Sequence, residues 1–151
     1  MNTQKEIKLS SDWTNVGLYG GGLLVLIMTP VMALAMTAQK FHGGMLLGGA
    51  LYMVLIGFMI YLFVYTCDAR VIGDKIILKK QFRPSKAYSF DRIGYPTSFQ
   101  LKSTKYIKVE MKNDDNSFEK YLIINSRSLL SFENKDAEYA LRSLRNLAMK
   151  K

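Results

Sequence analysis

Two long apolar runs occupy the first half of the chain. Residues 16–38 and 44–66, 23 residues each, contain no Asp, Glu, Lys or Arg. A helix of roughly 20 apolar residues crosses the hydrocarbon core of a bilayer with its backbone hydrogen bonds satisfied. Because only residues 39–43 join the two runs, the pattern predicts a transmembrane hairpin of antiparallel helices. The first run is too long for the apolar part of a signal peptide, and the segment before it carries acids as well as lysines.

From residue 68 onward, apolar and polar positions alternate, which is typical of half-buried strands. In residues 75–82 the alternation predicts that Ile76, Leu78 and Phe82 face the core and that Lys79 faces the other way. Residues 113–117 are short and polar and predict the turn of a hairpin. The other strands are predicted at residues 68–72, 86–90, 97–102, 106–112, 118–125 and around 129–132.

An amphipathic helix is predicted near the carboxyl end, from about residue 135 to residue 149, with Asn134 as its cap. Its apolar positions recur every three or four residues and are Ala137, Leu141, Leu144 and Leu147. About six or seven strands followed by one helix predict a small antiparallel β-barrel or sandwich with the helix over one opening. With the hairpin before residues 68–151, the chain is predicted to be an α+β membrane protein.

The chain has 151 residues, a net charge of +9 and one cysteine. These values exclude a large multidomain enzyme and a scaffold held by disulfides. From residue 68 onward, 18 Lys or Arg stand against 10 Asp or Glu, whereas the loop 39–43 holds only Lys40. Basic residues collect on the cytoplasmic side of membrane helices. We therefore expect a multi-pass protein of the cytoplasmic (inner) membrane, with residues 1–15, residues 68–151 and both termini in the cytoplasm.

Several glycines lie within the two apolar runs, where small residues let helix backbones approach closely. Gly48 and Gly49 fall at the depth of Ala33 and Ala35, so these four are expected to pack within the hairpin. Four glycines of the first run have no glycine at their depth on the second: Gly17, Gly20, Gly21 and Gly22. They are candidates for contact with another subunit, although glycine is common in transmembrane helices in any case.

Two segments after the hairpin resemble a known family. They are residues 73–78, Gly-Asp-Lys-Ile-Ile-Leu, and residues 88–93, Tyr-Ser-Phe-Asp-Arg-Ile. Together with the strand order, the final helix and the preceding spans, they resemble bacterial pleckstrin-homology-like (PH-like) domain proteins over roughly residues 68–149. The resemblance implies a membrane-attached binding scaffold without catalytic chemistry, but a shared fold does not supply its ligand.

A cluster of four cations has no acid between residues 75 and 90, and its members are Lys79, Lys80, Arg83 and Lys86. The resemblance implies a binding site for phosphoinositide headgroups, because eukaryotic PH domains hold such headgroups with a basic group in a similar position. Bulk charge is a second interpretation, since each Lys or Arg near an anionic leaflet contributes about 1 kcal/mol of attraction. Plain solvation is the third. The same interpretations apply to Lys102, Lys105 and Lys108.

The sequence contains no recognisable catalytic or metal-binding pattern. His42 stands alone in the predicted loop, Cys67 is interpreted as a small apolar residue at the end of a span, and the methionines of the spans lack ligand spacing. Asp114, Asp115 and Glu119 are expected in a solvated hairpin rather than in a cleft. We therefore expect no enzyme activity, no metal and no cofactor. Nucleic acid is not expected as a partner, because membrane tethering explains the basic charge.

The expected function is therefore binding or assembly. The leading hypothesis is a membrane-anchored adaptor that works through protein contacts, as a homo-oligomer or as an accessory subunit of a larger membrane assembly. The second is a reader of anionic lipid surfaces through the cation cluster. The third is a channel or transporter subunit, which the absence of ionisable residues from the spans disfavours.

Overall fold

The structure, a computed structural model, describes residues 6–38, 40, 42–126 and 136–150. The chain divides into two compact units. The helical unit comprises residues 15–64, and the β unit comprises the residues before it and those from residue 65 onward. The β unit is thus assembled from both sides of the helical unit in the sequence.

The helical unit contains two long helices, α1 (Thr14–Ala38) and α2 (Gly43–Tyr65). They confirm the two predicted helices to within two residues at each end. Both are long and apolar enough to cross a membrane. Most of their large apolar side chains are exposed, with Leu26 and Val54 each at 70%. Apolar surface of this extent is not stable in water, so it needs a covering of lipid or protein.

Within the described residues, the β unit has two antiparallel sheets. The first has the order β1-β2-β3-β4, with β1 at Ile7–Lys8, β2 at Cys67–Ile72, β3 at Lys75–Lys80 and β4 at Lys86–Ser89. The second has the order β5-β6-β7, with β5 at Thr97–Leu101, β6 at Thr104–Lys112 and β7 at Phe118–Ser126. The described strands do not close into a barrel, because no strand of the first sheet pairs with a strand of the second. Isolated bridges, such as Thr66 to Leu122, and single hydrogen bonds connect β6 and β7 with segments outside the second sheet.

The predicted alternation accounts for the core between the sheets. Ile76 and Leu78 of β3 are buried against Ile107 and Val109 of β6 and Ile123 of β7 in one apolar cluster. The turn between β6 and β7 also forms as predicted, since the backbone N–H of Asn113 donates to the carbonyl of Ser117 across 2.8 Å.

A strand before the first helix is the main feature that no sequence pattern predicts. In β1, Ile7 pairs with Val71 and Lys8 pairs with Arg70 of β2. The next residue, Leu9, continues the pairing, and its side chain is buried in the core. Two residues of backbone pairing are too few to detect by periodicity, although they add an edge to the first sheet.

The predicted orientation of the end of β3 is wrong in one respect. The strand ends at Lys80, whose side chain faces the core with Ile76 and Leu78. Phe82, predicted to face the core, is instead 86% exposed in the loop that follows. The alternation of β3 therefore ends on a lysine, which needs partners inside the β unit.

The last helix, α3 (Ala137–Met149), confirms the predicted amphipathic helix. Ala137 and Leu141 are fully buried, whereas Leu147 is 63% exposed. The cap is Asp136, whose side chain accepts a hydrogen bond from the backbone N–H of Glu138. The cap predicted at residue 134, the strand predicted around residues 129–132 and the predicted helix start at residue 135 lie outside the described residues.

Candidate functional site

Three of the four clustered cations converge on one acid, Glu119 of β7. Lys80 Nζ lies 2.8 Å from Glu119 Oε1, and Lys86 Nζ lies 2.7 Å from Oε2. Arg83 Nη1 is 3.9 Å from Oε1. The expectation that Glu119 lies in a solvated hairpin is therefore wrong, because its side chain is only 15% exposed. We call these four residues the Glu119 cluster.

Lys80 is the buried member of the cluster, with 6% of its side chain exposed. Its Nζ lies 4.4 Å from the centre of the Tyr121 ring and 5.8 Å from that of Tyr65. The face of an aromatic ring attracts a cation, and a buried charge is stable only when such partners replace its water. Two rings and one carboxylate supply those partners for Lys80.

The carboxyl group of Glu119 is held in its charged form. Burial alone would raise its pKa, but hydrogen bonds from Lys80 and Lys86, with their positive charges, outweigh burial and lower the pKa to about 2. The same contact with Glu119 raises the pKa of the Lys86 ammonium. Glu119 and Lys86 are therefore both charged at neutral pH.

The alternation of apolar and polar side chains along β7 could have predicted that Glu119 faces inward. Positions 119, 121 and 123 share one face of the strand, and Tyr121 and Ile123 are buried. An acid on that face has to meet a cation, and Lys80 lies at the corresponding inward position of β3. Pairing between strands so distant in sequence is not visible in local periodicity.

Two tyrosines extend the polar network away from Lys80. The hydroxyl of Tyr88 donates to Asn113 Oδ1 across 2.8 Å. It lies 2.9 Å from the hydroxyl of Tyr121, which is therefore the donor in that pair. Burial raises the pKa of both phenols. The pair thus remains neutral and positions the Tyr121 ring beneath Lys80.

The fold therefore separates the four predicted cations into buried and exposed members. Lys79 points to solvent on the opposite face of β3 from Lys80, and the side chain of Arg83 is 61% exposed. A cavity of about 80 Å³ lies beside the cluster and is lined by Leu78, Lys80, Arg83, Pro84, Lys86, Glu119 and Tyr121. This volume suits a few water molecules rather than a headgroup, so the inner part of the cluster is built for stability.

A larger concavity of about 650 Å³ opens on the other side of Lys86. Its lining carries both signs of charge and consists of Lys75, Lys86, Ala87, Tyr88, Ser89, Arg92, Asn113, Asp114 and Asp115. Arg92 is already paired with Asp114 at its rim. Mixed charge of this kind does not select an anion.

Lys105 also has internal partners. Its Nζ lies 2.7 Å from Glu138 Oε2 and 3.0 Å from Asp136 Oδ2, and its side chain is 25% exposed. It therefore ties β6 to the start of α3. Lys102, at the turn after β5, and Lys108 are exposed.

The glycines of the helical unit fall into two groups. A Cβ atom added at Gly21 would lie 3.0 Å from the side chain of Met59, and one at Gly22 would lie 2.9 Å from Phe63, so these glycines permit close approach of α2. Gly49 is likewise close to a residue of the opposite helix, Met36. The remaining candidates have open space at the Cβ position, and they are Gly17, Gly20 and Gly48.

A polar contact joins the middle of the two helices. The hydroxyl of Tyr52 donates to the carbonyl of Val25 across 2.8 Å, and Thr29 Oγ1 lies 2.7 Å from that hydroxyl. A mostly apolar groove of about 620 Å³ lies beside this contact. Its hydroxyl groups are satisfied within the hairpin, so the groove presents chiefly methionine and aliphatic side chains.

Among the described residues, β5 is an exposed edge strand of the β unit. All five of its residues are exposed, and in the described residues β5 pairs only with β6. Phe99 stacks on Tyr106 of β6 with ring centres 4.9 Å apart, and both Phe99 and Leu101 are more than half exposed. The outer edge and one face of β5 therefore offer backbone and apolar groups together.

The remaining candidate side chains have no evident chemistry. Cys67 is fully buried, and burial raises the pKa of its thiol. His42 lies exposed between the helices. Among the described residues, no three or more His, Cys, Asp or Glu side chains are grouped so that they could hold a metal ion.

Comparison of the chain with models of protein families, with curated proteins and with solved structures finds no match.

Proposed function

We propose that the protein is a membrane-anchored binding module of the PH-like kind. It acts as an adaptor in a larger membrane assembly, through protein contacts made by its β unit. The helical unit is the anchor, and the β unit presents the binding surface.

The exposed apolar surfaces of α1 and α2 support the anchoring part of this proposal. Lipid covers such surfaces without requiring a partner protein for every exposed side chain. The β unit supports a hairpin topology, because Lys8 ahead of α1 pairs with Arg70 beyond α2. Because the β unit contains the segment before α1 and the segment after α2, it favours a topology in which α1 starts and α2 ends on the same side of the membrane. The basic residues of that unit favour the cytoplasmic face of the inner membrane.

The single observation that carries the adaptor role is the open edge of β5. An exposed edge strand is a template for an added strand, and natural proteins protect such edges unless a partner uses them. Five consecutive exposed residues, with Phe99 and Leu101 on one face, provide both the backbone groups and the apolar contacts of such a docking site. The occupant is an extended segment of a partner protein.

Site-specific photocrosslinking in native membranes tests this role. A photoreactive residue at position 101 of the full chain should capture a defined partner. Phe99→Glu should reduce the capture by tenfold or more, because a buried charge replaces an apolar contact. Phe118→Glu is the matched control, since Phe118 is also an exposed aromatic residue at a strand end, 65% exposed, but lies outside β5.

Two copies with different tags separate the possible partners. Capture of one copy by the other through position 101 identifies a homo-oligomer joined at β5. No crosslink from β5, or capture that persists with Phe99→Glu, contradicts the adaptor role of this edge.

The lipid-reader alternative receives less support from the geometry. It relied on four free cations, whereas Lys80 and Lys86 are hydrogen-bonded to Glu119 and Arg83 lies close to the same acid. Lys79 and Arg83 remain exposed to solvent.

A further inference from the structure

The direction of the backbone groups along β6 follows from two hydrogen bonds near its end. The N–H of Asn113 donates to the carbonyl of Ser117 on the side of β7, and the carbonyl of Glu110 accepts from the N–H of Gly94 on the side of β5. In an antiparallel sheet these directions alternate from one residue to the next. The even-numbered residues of β6 therefore direct their N–H and C=O groups toward β5, and they include Thr104, Tyr106 and Lys108.

The same alternation leaves two residues of β5 with backbone groups on the open edge. Thr97, Phe99 and Leu101 lie opposite those three residues of β6, so their N–H and C=O groups are used within the sheet. The N–H and C=O groups of Ser98 and Gln100 therefore point away from β6. Among the described residues, no strand pairs with this edge.

The outer edge of β7, in contrast, is covered by other parts of the β unit. The carbonyl of Ile124 accepts a hydrogen bond from the N–H of Ser11, and Leu122 forms a bridge with Thr66. Natural proteins also protect open edges with charged residues or proline. The five residues of β5 include neither, so this edge remains suitable for pairing with another strand.

The backbone of β5 is complementary to itself in one antiparallel register. With Phe99 opposite Phe99 of a second copy, Ser98 lies opposite Gln100 in both directions, and all of the outward groups find partners. A register centred on Ser98 would oppose Gln100 to Pro96, which has no N–H. A register centred on Gln100 would oppose Ser98 to Lys102, whose backbone is left-handed, with φ at 52°.

The side chains favour the same register. It places Thr97 opposite Leu101 and the two copies of Phe99 opposite each other, all on one face of the sheet. Opposite aromatic residues stabilise a sheet, whereas opposite like charges destabilise it. The chain has a net charge of +9, but none of that charge lies on β5. Phe99 and Leu101, which are 53% and 61% exposed in the single chain, would then pack against a second pair.

We propose that β5 pairs with β5 of a second copy, antiparallel and centred on Phe99. The two three-stranded sheets then form one continuous sheet across a two-fold axis. This inference rests on the docking role of β5 proposed above, and it names a second copy of this chain as the occupant. A strand of a different protein is the competing occupant.

Disulfide crosslinking between cysteines in β5 tests both the partner and the register. Two full-length variants with different tags, Thr97→Cys and Leu101→Cys, each carry Cys67→Ala and are expressed together. Their isolated membranes are treated with a mild oxidant. In the proposed register, positions 97 and 101 of two copies lie about 4.5 Å apart between Cα atoms, which a disulfide can span. Position 97 of one copy lies about 14 Å from position 97 of the other, which is too far.

We expect the mixture to give at least tenfold more crosslinked dimer than either variant alone. Equal crosslinking in the single-variant samples overturns the antiparallel register. If the mixture gives no crosslink while a photoreactive residue at position 101 captures a different protein, self-pairing is overturned and the adaptor role of β5 stands. If neither method gives a product from β5, both proposals are overturned.

A charge exchange at Phe99 provides an independent test of self-pairing. When both cysteine variants also carry Phe99→Glu, like charges lie opposite each other at the axis, and the crosslink should fall at least tenfold. Phe99→Glu in one variant combined with Phe99→Lys in the other should restore it. An unchanged crosslink with Phe99→Glu in both copies, or no recovery with the opposite charges, overturns pairing across position 99.

Discussion

Lys80 and Glu119, separated by 39 residues in the sequence, form an ion pair with an Nζ to Oε1 distance of 2.8 Å. The pair joins β3 of the first sheet to β7 of the second. The aromatic faces of Tyr121 and Tyr65 complete the surroundings of the lysine. A cluster that resembles a binding site in the sequence therefore serves in large part to hold the two sheets together.

Loss of the buried cation should destabilise the β unit. Lys80→Met leaves Glu119 partly buried with one direct lysine partner, and breaking a buried pair in this way costs about 3–5 kcal/mol. We expect a loss near the lower end, because Lys86 remains, as measured by denaturant unfolding of the full chain in detergent. Lys79→Met, one residue away on the exposed face, should change stability by less than about 0.5 kcal/mol.

The double variant Lys80→Met with Glu119→Met separates pairing from packing. An apolar pair of similar volume often replaces a buried ion pair without loss, so stability should recover for the most part. A double variant as unstable as Lys80→Met alone would contradict the view that the unpaired acid causes the loss.

Lowering the pH should reduce the stability of the β unit, because Glu119 becomes protonated. Its folded pKa of about 2 lies below the ordinary value of 4.5, so its contribution is complete above about pH 4.5 and is lost as pH falls toward 2. A shift of this size corresponds to a contribution on the order of 3 kcal/mol. The lowered pKa values of Asp68, Asp136 and Glu138 act in the same direction.

Unfolding free energies measured from pH 7 to pH 2.5 check this assignment. The Glu119→Gln variant should be less stable at pH 7 and should lose less stability on acidification than the wild type. An identical acid dependence in both proteins would show that Glu119 is not the titrating group.

A close backbone contact makes Gly94 sensitive to the smallest enlargement. A Cβ atom at this position would lie 2.5 Å from the carbonyl oxygen of Glu110, to which the N–H of Gly94 donates a hydrogen bond. Gly94→Ala should therefore destabilise the protein by about 1–3 kcal/mol, measured by thermal or denaturant unfolding. Gly57→Ala, with open space at its Cβ, should be neutral or stabilising, and equal losses in the two variants would contradict the contact.

The open glycines of α1 remain candidates for contact between subunits. Gly17 and Gly20 lie one turn apart and have nothing within 4 Å of a Cβ position. If they pack against another copy, Gly17→Leu with Gly20→Leu should abolish crosslinking between copies in membranes. Gly57→Leu on α2 is the control, and retained crosslinking in the α1 variant would exclude this face as the contact.

Cys67 should be protected from thiol reagents. It is fully buried, and burial raises the pKa of its thiol, which keeps the reactive thiolate scarce. Maleimide should therefore modify the native protein at least tenfold more slowly than the protein in denaturant. Equal rates would show that the start of β2 is open in solution.

The elements that follow local patterns could be predicted from the sequence. The apolar runs predict α1 and α2, and the alternation predicts most of the strands. The errors arise where distant residues determine the outcome. Lys80 faces inward because it pairs with Glu119 on another strand, and Phe82 lies outside the core.

The features that sequence patterns did not predict, β1 and the open edge of β5, also depend on distant residues. The pairing of β1 depends on residues about 60 positions away, which a two-residue segment cannot signal. The open edge of β5 is visible only when the neighbours of each strand are known. Charge counting alone therefore overestimated the free cations of the Glu119 cluster.

Every role proposed for this protein depends on a hairpin that crosses the membrane and holds the β unit on the cytoplasmic side. Single cysteines at positions 12, 42 and 74, in a Cys67→Ala background, test this in sealed cells with a membrane-impermeant maleimide. We expect labelling at position 42 from outside and labelling at positions 12 and 74 only after permeabilisation. Labelling of position 74 in sealed cells, or of positions 12 and 74 on opposite sides, would contradict it.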